Sequence, residues 1–366
     1  MLGARTAETA KDQALAAMEG KAPPPSASMM NRVGEELEAT LIPLLKQVML
    51  IKPDMMINDF ASIAAKIVAE NLQIPQVKFF TTYASNHHYN LLKESFAKYD
   101  FPTTDMFQSL QAVIDNACET AQLKPLNLLN AMTEIEPHNL VFMPKSFQPL
   151  QETFDERFQF VGPTFLRKPI GQAEALIPPE PDDGPILVIS LGSLFHEWPE
   201  FFRDCYKALG NTQWRVVMAI GSKLDPAELG EKPDNFMVTP YLPQVELLQR
   251  ASLFITHGGM NSTMESLTYG VPMVVIPQIE EQEITAKRVH NMNLGRYLAR
   301  QHVTANTLAK AVSEVAKSQD IKGNATYMQR QIEIAGGPGR AADYVESVLL
   351  NKDFVHANAS TVAKFI

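Results

Sequence analysis

A glycine turn between a predicted strand and a predicted helix holds the residues of this chain that are best suited to chemistry. The apolar run Leu253–Thr256 is typical of a buried strand, and Gly258–Gly259 ends it. Asn261–Ser262 offers helix-capping side chains, and Glu265 completes the S-x-x-E spacing of a capping box. A helix that begins here directs unpaired N–H groups and the positive end of its dipole above the strand. Phosphate is a usual occupant of such a position.

A histidine and an acidic cluster extend this candidate site. His257 stands at the carboxyl end of the predicted strand, where open α/β sheets bind their ligands. A second predicted strand, Met273–Pro277, leads into the cluster Glu280, Glu281 and Gln282, whose polar groups suit a polyol. Together the two segments indicate a nucleotide-sugar site. The alternative is structural, because Gly-Gly turns and S-x-x-E caps also occur where nothing binds, and the glycines then serve only the backbone.

Two further turns could complete the site. The S-L-G-S segment ends at Ser193, which can present a hydroxyl and a backbone N–H to an anion. The Y-L-P-Q segment offers the ring of Tyr241 for stacking and the amide of Gln244 for a base or a ribose. Each motif alone equally fits an ordinary turn or the start of a helix. The S-L-G-S turn is not a G-x-G-x-x-G motif, which disfavours dinucleotide binding.

The elements that must position these residues alternate between strand and helix in both halves of the chain, which predicts an α/β protein with parallel sheets. We assign residues 1–166 to an amino-terminal domain, 167–184 to a linker, 185–335 to a second domain, and 336–366 to a final helix and tail. A helix over 35–49 is expected to be interrupted by Pro43. The other predicted strands are 53–59, 77–80, 140–143, 158–161, 186–190, 215–220 and 236–238, and the other predicted helices include 62–71, 199–209, 245–250 and one ending near 350.

Composition excludes several classes of protein. The net charge of −9 over 366 residues argues against nucleic acid or an anionic membrane surface as a partner. No run approaches the ~18–20 apolar residues of a membrane span. Two distant cysteines, Cys118 and Cys205, predict neither a disulfide framework nor a zinc site and favour the cytoplasm. No D-x-D pair lies near the candidate site, so we expect no metal and no other cofactor.

The motifs taken together resemble the family 1 UDP-glycosyltransferases, and most closely their bacterial macrolide-type branch. The H-G-G-x-N-S-x-x-E segment is the most specific of them. In order, the chain carries S-L-G-S (190–193), Y-L-P-Q (241–244), T-H-G-G-M-N-S-T-M-E (256–265), G-V-P-M-V-V-I-P-Q (270–278), E-E-Q (280–282) and A-G-G-P-G-R-A-A-D (335–343).

The resemblance implies a GT-B fold, in which two facing Rossmann-like domains enclose the active site. It implies metal-independent, inverting transfer of a hexose, usually glucose, from a UDP-sugar to a small apolar acceptor such as a macrolide, polyketide or phenol. By position, Tyr241 and Gln244 would meet the uracil, and Glu265 the ribose. Glu281 and Gln282 would meet the sugar, although most members have Asp in place of Glu281. The diphosphate would be held by Ser193, His257, Asn261 and Ser262, and Gly258 and Gly259 would belong to the same donor site.

The same resemblance leaves the catalytic base open. Asp59 falls where the family keeps the aspartate of its catalytic dyad, although it could equally be the N-cap of the next helix. The family's histidine lies in a G-H-x-x-P turn, whereas no histidine precedes His87 here. We therefore expect an incomplete first domain, short by about 40–60 residues at ~30 per βαβ unit. The chain could be a truncated enzyme, a non-catalytic relative, or an enzyme in which His87 or His88 substitutes. More simply, these two histidines would line the acceptor pocket.

Overall fold

The computed structural model describes residues 27–95, 105–165, 173–178, 184–192 and 197–350. Within them the chain forms two compact units, one with residues 27–162 and 335–350 and the other with residues 163–334. Each unit is built on a parallel β-sheet, which confirms the predicted α/β class. The first 26 residues, most of the predicted linker and the tail after residue 350 lie outside the described residues.

The first unit carries a sheet of four parallel strands in the order β1-β2-β3-β4. Within the described residues, β1 pairs with β2 alone and so forms one edge of the sheet. The predicted strands and helices of this half are present, with ends that differ by a few residues. The elements are α1 (Ala27–Ile51), β1 (Met56–Asp59), α2 (Ile63–Leu72), β2 (Gln76–Phe80), α3 (Leu91–Ser95), α4 (Asp105–Thr120), α5 (Leu128–Thr133), β3 (Asn139–Val141) and β4 (Phe158–Phe160), with the last helix, α12 (Gly337–Leu350), returning to this unit.

Two apolar clusters hold the first unit together. One lies between α1, α2 and α4, where Leu41, Ile67 and Ile114 are fully buried. The helix α1 continues through Pro43, so the predicted interruption is wrong. Its apolar face is buried on both sides of the proline, and this packing outweighs one lost backbone hydrogen bond. The second cluster lies on the sheet, where Val348 of α12 packs with β2 and β3.

The second unit carries a sheet of six parallel strands in the order β10-β9-β8-β5-β6-β7. Its core contains residues of the central strands and of α6 and α10, with Phe201, Phe236 and Ile255 at most 1% exposed. Sequence reasoning did not assign α9, β10, α10 or α11. The elements are β5 (Ile186–Ser190), α6 (Pro199–Leu209), β6 (Arg215–Ala219), β7 (Phe236–Thr239), α7 (Gln244–Leu248), β8 (Ala251–Thr256), α8 (Met260–Thr268), β9 (Met273–Val275), α9 (Glu280–Asn291), β10 (Gly295–Tyr297), α10 (Ala305–Lys317) and α11 (Gln319–Ala335).

None of the described helices combines the length and the apolar character that crossing a membrane requires.

Candidate functional site

The turn between β8 and α8 is the centre of the candidate site. Gly258 has a φ of +84°, a left-handed conformation that favours glycine. A Cβ at this position would lie 2.5 Å from Cγ1 of Val275, so the turn also passes too close to β9 for a larger residue. Gly259 is the N-cap of α8 and provides no side-chain cap. The first amides of this helix therefore point out of the turn without capping side chains, as an anion site requires.

The predicted capping box is wrong. Asn261 and Ser262 lie inside the first turn of α8 instead of before it, because the helix begins at Met260. The side chain of Ser262 accepts a hydrogen bond from Gln244 in place of a backbone amide. The hydroxyl of Ser262 and the side chain of Glu265 are thus used in a contact with α7.

The imidazole of His257 fills the space between two glycines. A Cβ on Gly192 would lie 2.7 Å from its Cε1 atom, and a Cβ on Gly259 would lie 2.5 Å from its Nε2 atom. These approaches follow from the pairing of β5 with β8, which sets Ser190 opposite Thr256. Burial lowers the pKa of His257 to about 4, partly opposed by a hydrogen bond to the main chain of Ser190. The ring is therefore neutral at pH 7 and acts through hydrogen bonds and shape.

Gln244 and Glu265 form a polar pair beside the first turn of α8. The Nε2 atom of Gln244 donates to Oε2 of Glu265 at 2.6 Å and to Oγ of Ser262 at 3.1 Å. Burial raises the pKa of Glu265, and the hydrogen bond from Gln244 opposes this shift. A carboxylate that already holds one donor keeps further lone pairs for a diol. The structure thus brings together three of the side chains that the sequence placed at the nucleotide.

Tyr241 lies before α7 with 62% of its surface exposed. Its hydroxyl donates to Oγ of Ser222 at 3.2 Å, which orients the ring while leaving it open to a flat ligand. Ser222 was not predicted, because the I-G-S-K turn after β6 carries no motif. Ser193 lies outside the described residues, so its predicted contact with phosphate stays a prediction.

The acidic cluster forms the first turn of α9. Glu281 is half-buried, and the three glutamates of this turn stand where a helix dipole favours negative charge. Gln282 is only 7% exposed, and its Oε1 accepts from the backbone N–H of Gln278 at 2.8 Å. Gln282 therefore fixes its own turn with its oxygen, and its Nε2 group is the part of the amide that can donate to a sugar hydroxyl.

Asp59 is the last residue of β1, and His87 and His88 lie on the loop that follows the neighbouring strand β2. The Oδ1 atom of Asp59 accepts from the backbone N–H of Ala61 at 2.9 Å, and the N-cap of α2 is Ser62. The N-cap alternative for Asp59 is thus wrong, and its carboxylate instead stabilises the turn after β1. His87 and His88 are exposed on the loop after β2, which is held by side-chain hydrogen bonds of Asn86. Because β1 and β2 are parallel, Asp59, His87 and His88 all lie at or beyond the carboxyl ends of neighbouring strands.

A cluster of three carboxylates elsewhere in the first unit has the spacing of a cation site. Glu70, Glu134 and Glu136 come within reach of one ion. The ammonium group of Lys66 pairs with all three of them, and that of Lys78 lies 3.3 Å from Glu136. The two lysines therefore compensate most of the negative charge of the three carboxylates, which indicates a structural charge network.

Two parallel-sheet units, with an uncapped helix start of the anion-binding type in the second, fit the GT-B class of glycosyltransferases. The model of the family described as UDPGT, UDP-glucoronosyl and UDP-glucosyl transferase, matches residues 99–332, and the chain belongs to this family. NDP-glycosyltransferase YjiC of Bacillus subtilis (strain 168) is 41% identical over 298 residues, which cover 81% of this chain and 73% of that protein. Demethyllactenocin mycarosyltransferase of Streptomyces fradiae is 31% identical over 303 residues, which cover 81% of this chain and 64% of that protein.

Solved structures support the same assignment. CalG4, the calicheamicin glycosyltransferase, is 34% identical to this chain with a TM-score of 0.75. The match covers 90% of this chain and 82% of the CalG4 chain. The glycotransferase of kitacinnamycin is 27% identical, with a TM-score of 0.76. The resemblance read from the motifs, the GT-B fold and the enzyme class are therefore confirmed.

Proposed function

We propose that this protein moves glucose from UDP-glucose to a hydroxyl of a small apolar acceptor, such as a macrolide, polyketide or phenol, with inversion and without a metal or other cofactor. The observation that carries the proposal is the convergence of Gln244, His257, Ser262 and Glu265 on the uncapped start of α8. The family gives the reaction class, and relatives named for macrolide glycosyl transfer support the acceptor class.

The donor would lie along the carboxyl ends of the second sheet. Tyr241 would stack on the uracil, and Gln244 would bond to it. Glu265 would accept from the ribose hydroxyls, while Glu281 and the Nε2 group of Gln282 would bind the sugar. The diphosphate would be bound at the start of α8 by the predicted set Ser193, His257, Asn261 and Ser262, with Gly258 and Gly259 in the same donor site.

In the proposed reaction the acceptor oxygen attacks the anomeric carbon from the face opposite the phosphate. A carbon–oxygen bond forms to the acceptor, and the bond from carbon to the β-phosphate oxygen breaks, its electron pair leaving with UDP. The amides of α8 and the hydroxyls beside them stabilise the charge that develops on the diphosphate. A base must remove the proton of the acceptor hydroxyl. We assign Asp59 to the orientation of that base and His87 and His88 to the acceptor pocket.

A second candidate is a protein that binds a UDP-sugar without transferring it. The Oδ1 atom of Asp59 already accepts from the backbone N–H of Ala61, so part of this carboxylate is used to stabilise its own turn. This contact favours a site that binds the donor without activating an acceptor.

Calorimetric titration with UDP and UDP-glucose tests the proposal and separates the two candidates. We expect both ligands to bind in the presence of EDTA, and we expect a glycoside to form when a macrolide, a polyketide and a phenol are supplied. The anomeric proton coupling of the product reports inversion. Binding without product from any acceptor would favour the second candidate, and a folded chain that binds neither nucleotide would contradict both.

Replacing Glu265 by glutamine should remove most of the preference for a ribose over a deoxyribose. The carboxylate would accept from the 2′-hydroxyl, and a hydrogen bond to a charged group is worth about tenfold in affinity. We expect the wild type to favour UDP over 2′-deoxy-UDP, and the variant to bind both with nearly equal affinity. Glu283→Gln is the matched control, because Glu283 pairs with Lys287 on the surface of α9. Equal weakening of both ligands in Glu265→Gln would show a structural role only.

A further inference from the structure

Arg300 joins two connections at the carboxyl ends of the second sheet. It begins the short 3-10 turn Arg300–His302 that follows β10. Its Nη1 atom donates to Oε1 of Gln278 at 2.7 Å, on the connection between β9 and α9. Its Cζ atom lies 4.5 Å from the ring centroid of Trp198, on the connection between β5 and α6. These two connections belong to strands that β8 separates in the sheet, so no strand pairing joins them.

The Gln278 end of this link is a buried turn with its polar groups paired. Gln278 is fully buried, and its Nε2 atom donates to the carbonyl of Ile276 at 2.8 Å. Its backbone N–H donates to Oε1 of Gln282. Arg300 donates to Oε1 of Gln278. Without Arg300 this buried oxygen would lose that hydrogen bond, which costs stability. Arg300 therefore provides one of three hydrogen bonds that position Gln278.

The Trp198 end is anchored in the core. Trp198 stands at the N-cap position of α6, and its ring stacks on Phe201 with centroids 5.2 Å apart. Phe201 is fully buried in the main cluster of the second unit. A guanidinium above an indole is a favourable cation–π arrangement, so Trp198 provides a fixed platform for Arg300.

We propose that Arg300 is a positioning residue for the donor sugar. The chain of contacts runs from Trp198 through Arg300 and Gln278 to Gln282, in the turn from which Glu281 and Gln282 would bind the sugar hydroxyls. The inference rests on the proposed function, because it assigns the turn at α9 to the sugar. Among the residues that would bind the nucleoside, Tyr241 instead contacts Ser222, and Gln244 contacts Ser262 and Glu265 of α8. The link through Arg300 therefore serves the hexose and not the nucleotide.

The test compares the affinities of UDP and UDP-glucose in Arg300→Met. We expect the variant to lose about tenfold in affinity for UDP-glucose, in line with a lost charged hydrogen bond to a buried group, while its affinity for UDP changes less than about twofold. The KM for UDP-glucose should rise by a similar factor. Arg300→Lys keeps the positive charge over Trp198 and should lose about threefold. Arg296→Met is the matched control, because Arg296 lies four residues earlier and bonds to Glu314 instead.

The outcomes separate this inference from the proposed function. Equal loss of both ligands in Arg300→Met, or no loss of either, would overturn the positioning role while leaving the donor assignment intact. A wild type that binds UDP but not UDP-glucose would overturn both. Thermal unfolding of each variant shows that it is folded, and Arg300→Lys carries the comparison if Arg300→Met does not fold. Gln278→Met should reproduce the selective loss, since it removes the same contact from the other side.

Discussion

Replacing His257 by alanine should weaken the binding of UDP-glucose by about tenfold or more and lower kcat by about 100-fold, the usual cost of removing one group that stabilises an oxyanion. The imidazole fills the space between Gly192 and Gly259 and stands beside the uncapped start of α8. Its removal leaves a gap at the point where the diphosphate would lie. Thermal unfolding should change little, because the strand before it and the helix after it keep their packing.

Proton uptake on binding gives this prediction a second readout that a structural role would not move. The pKa of His257 is about 4, so the ring is neutral at pH 7. An anion beside an imidazole favours its charged form and raises its pKa. The wild type should therefore take up a fraction of a proton when UDP-glucose binds near pH 6, and His257→Ala should take up less. Titration in two buffers of different ionisation enthalpy measures the difference.

The control for this experiment is His290→Ala, because His290 is exposed near the end of α9. It should leave both the affinity and the proton count unchanged. Equal affinity and equal proton uptake in the wild type and His257→Ala would contradict the assignment of His257 to the diphosphate.

The sequence predicted those parts of the fold that depend on local signals. The strand 186–190 and the helix 199–209 have the predicted ends, because Gly184–Pro185 precedes an unbroken apolar run and Pro199 starts an amphipathic helix. The turn at Gly258–Gly259 was found for the same reason, since two glycines after an apolar run leave few alternatives. Local patterns therefore located the strand ends that carry the candidate site.

The parts that the sequence missed depend on contacts between distant residues. Ser262 has the spacing of a cap, yet its partner is Gln244, which is 18 positions away. Arg300 contacts Gln278 and Trp198, which are 22 and 102 positions away, and no local pattern marks such a contact. Pro43 was expected to break a helix that tertiary packing keeps intact. Side-chain partners at long range can be read only after the fold has placed them.

The second large effect is expected at the charge network of Glu136, Lys66 and Lys78 in the first unit. Replacing Glu136 by glutamine should lower the free energy of unfolding of that unit by about 3–5 kcal/mol, as for other buried ion pairs that lose one partner. The side chains of Lys66 and Lys78 are 7% and 6% exposed, and both pair with Glu136. Burial lowers the pKa of Lys78, whereas the neighbouring carboxylates outweigh burial and raise the pKa of Lys66. Without Glu136, two buried ammonium groups face each other with much less compensation.

The pH dependence of this effect has a defined sign. Burial opposes the charge on Glu136, but the two lysines outweigh it and lower the pKa of this carboxyl in the folded state. Its stabilisation is therefore present above the unfolded pKa of about 4.3 and is lost as the pH falls through the lower folded value. The difference between the wild type and Glu136→Gln should be constant near pH 7 and should shrink in acid below about pH 4.

Hydrogen exchange of the amides of β2 and β3 measures this stability within the unit that contains Glu136, while the fluorescence of Trp198 and Trp214 reports the second unit as a reference. Glu134→Gln is the matched control. Its side chain is 60% exposed and 3.5 Å from Lys66, so its loss should cost less than about 1 kcal/mol. Adding Lys78→Met to Glu136→Gln should restore part of the loss, because it removes a buried charge that has lost its partner. Equal exchange rates in Glu136→Gln and Glu134→Gln would show that burial does not set the strength of this network.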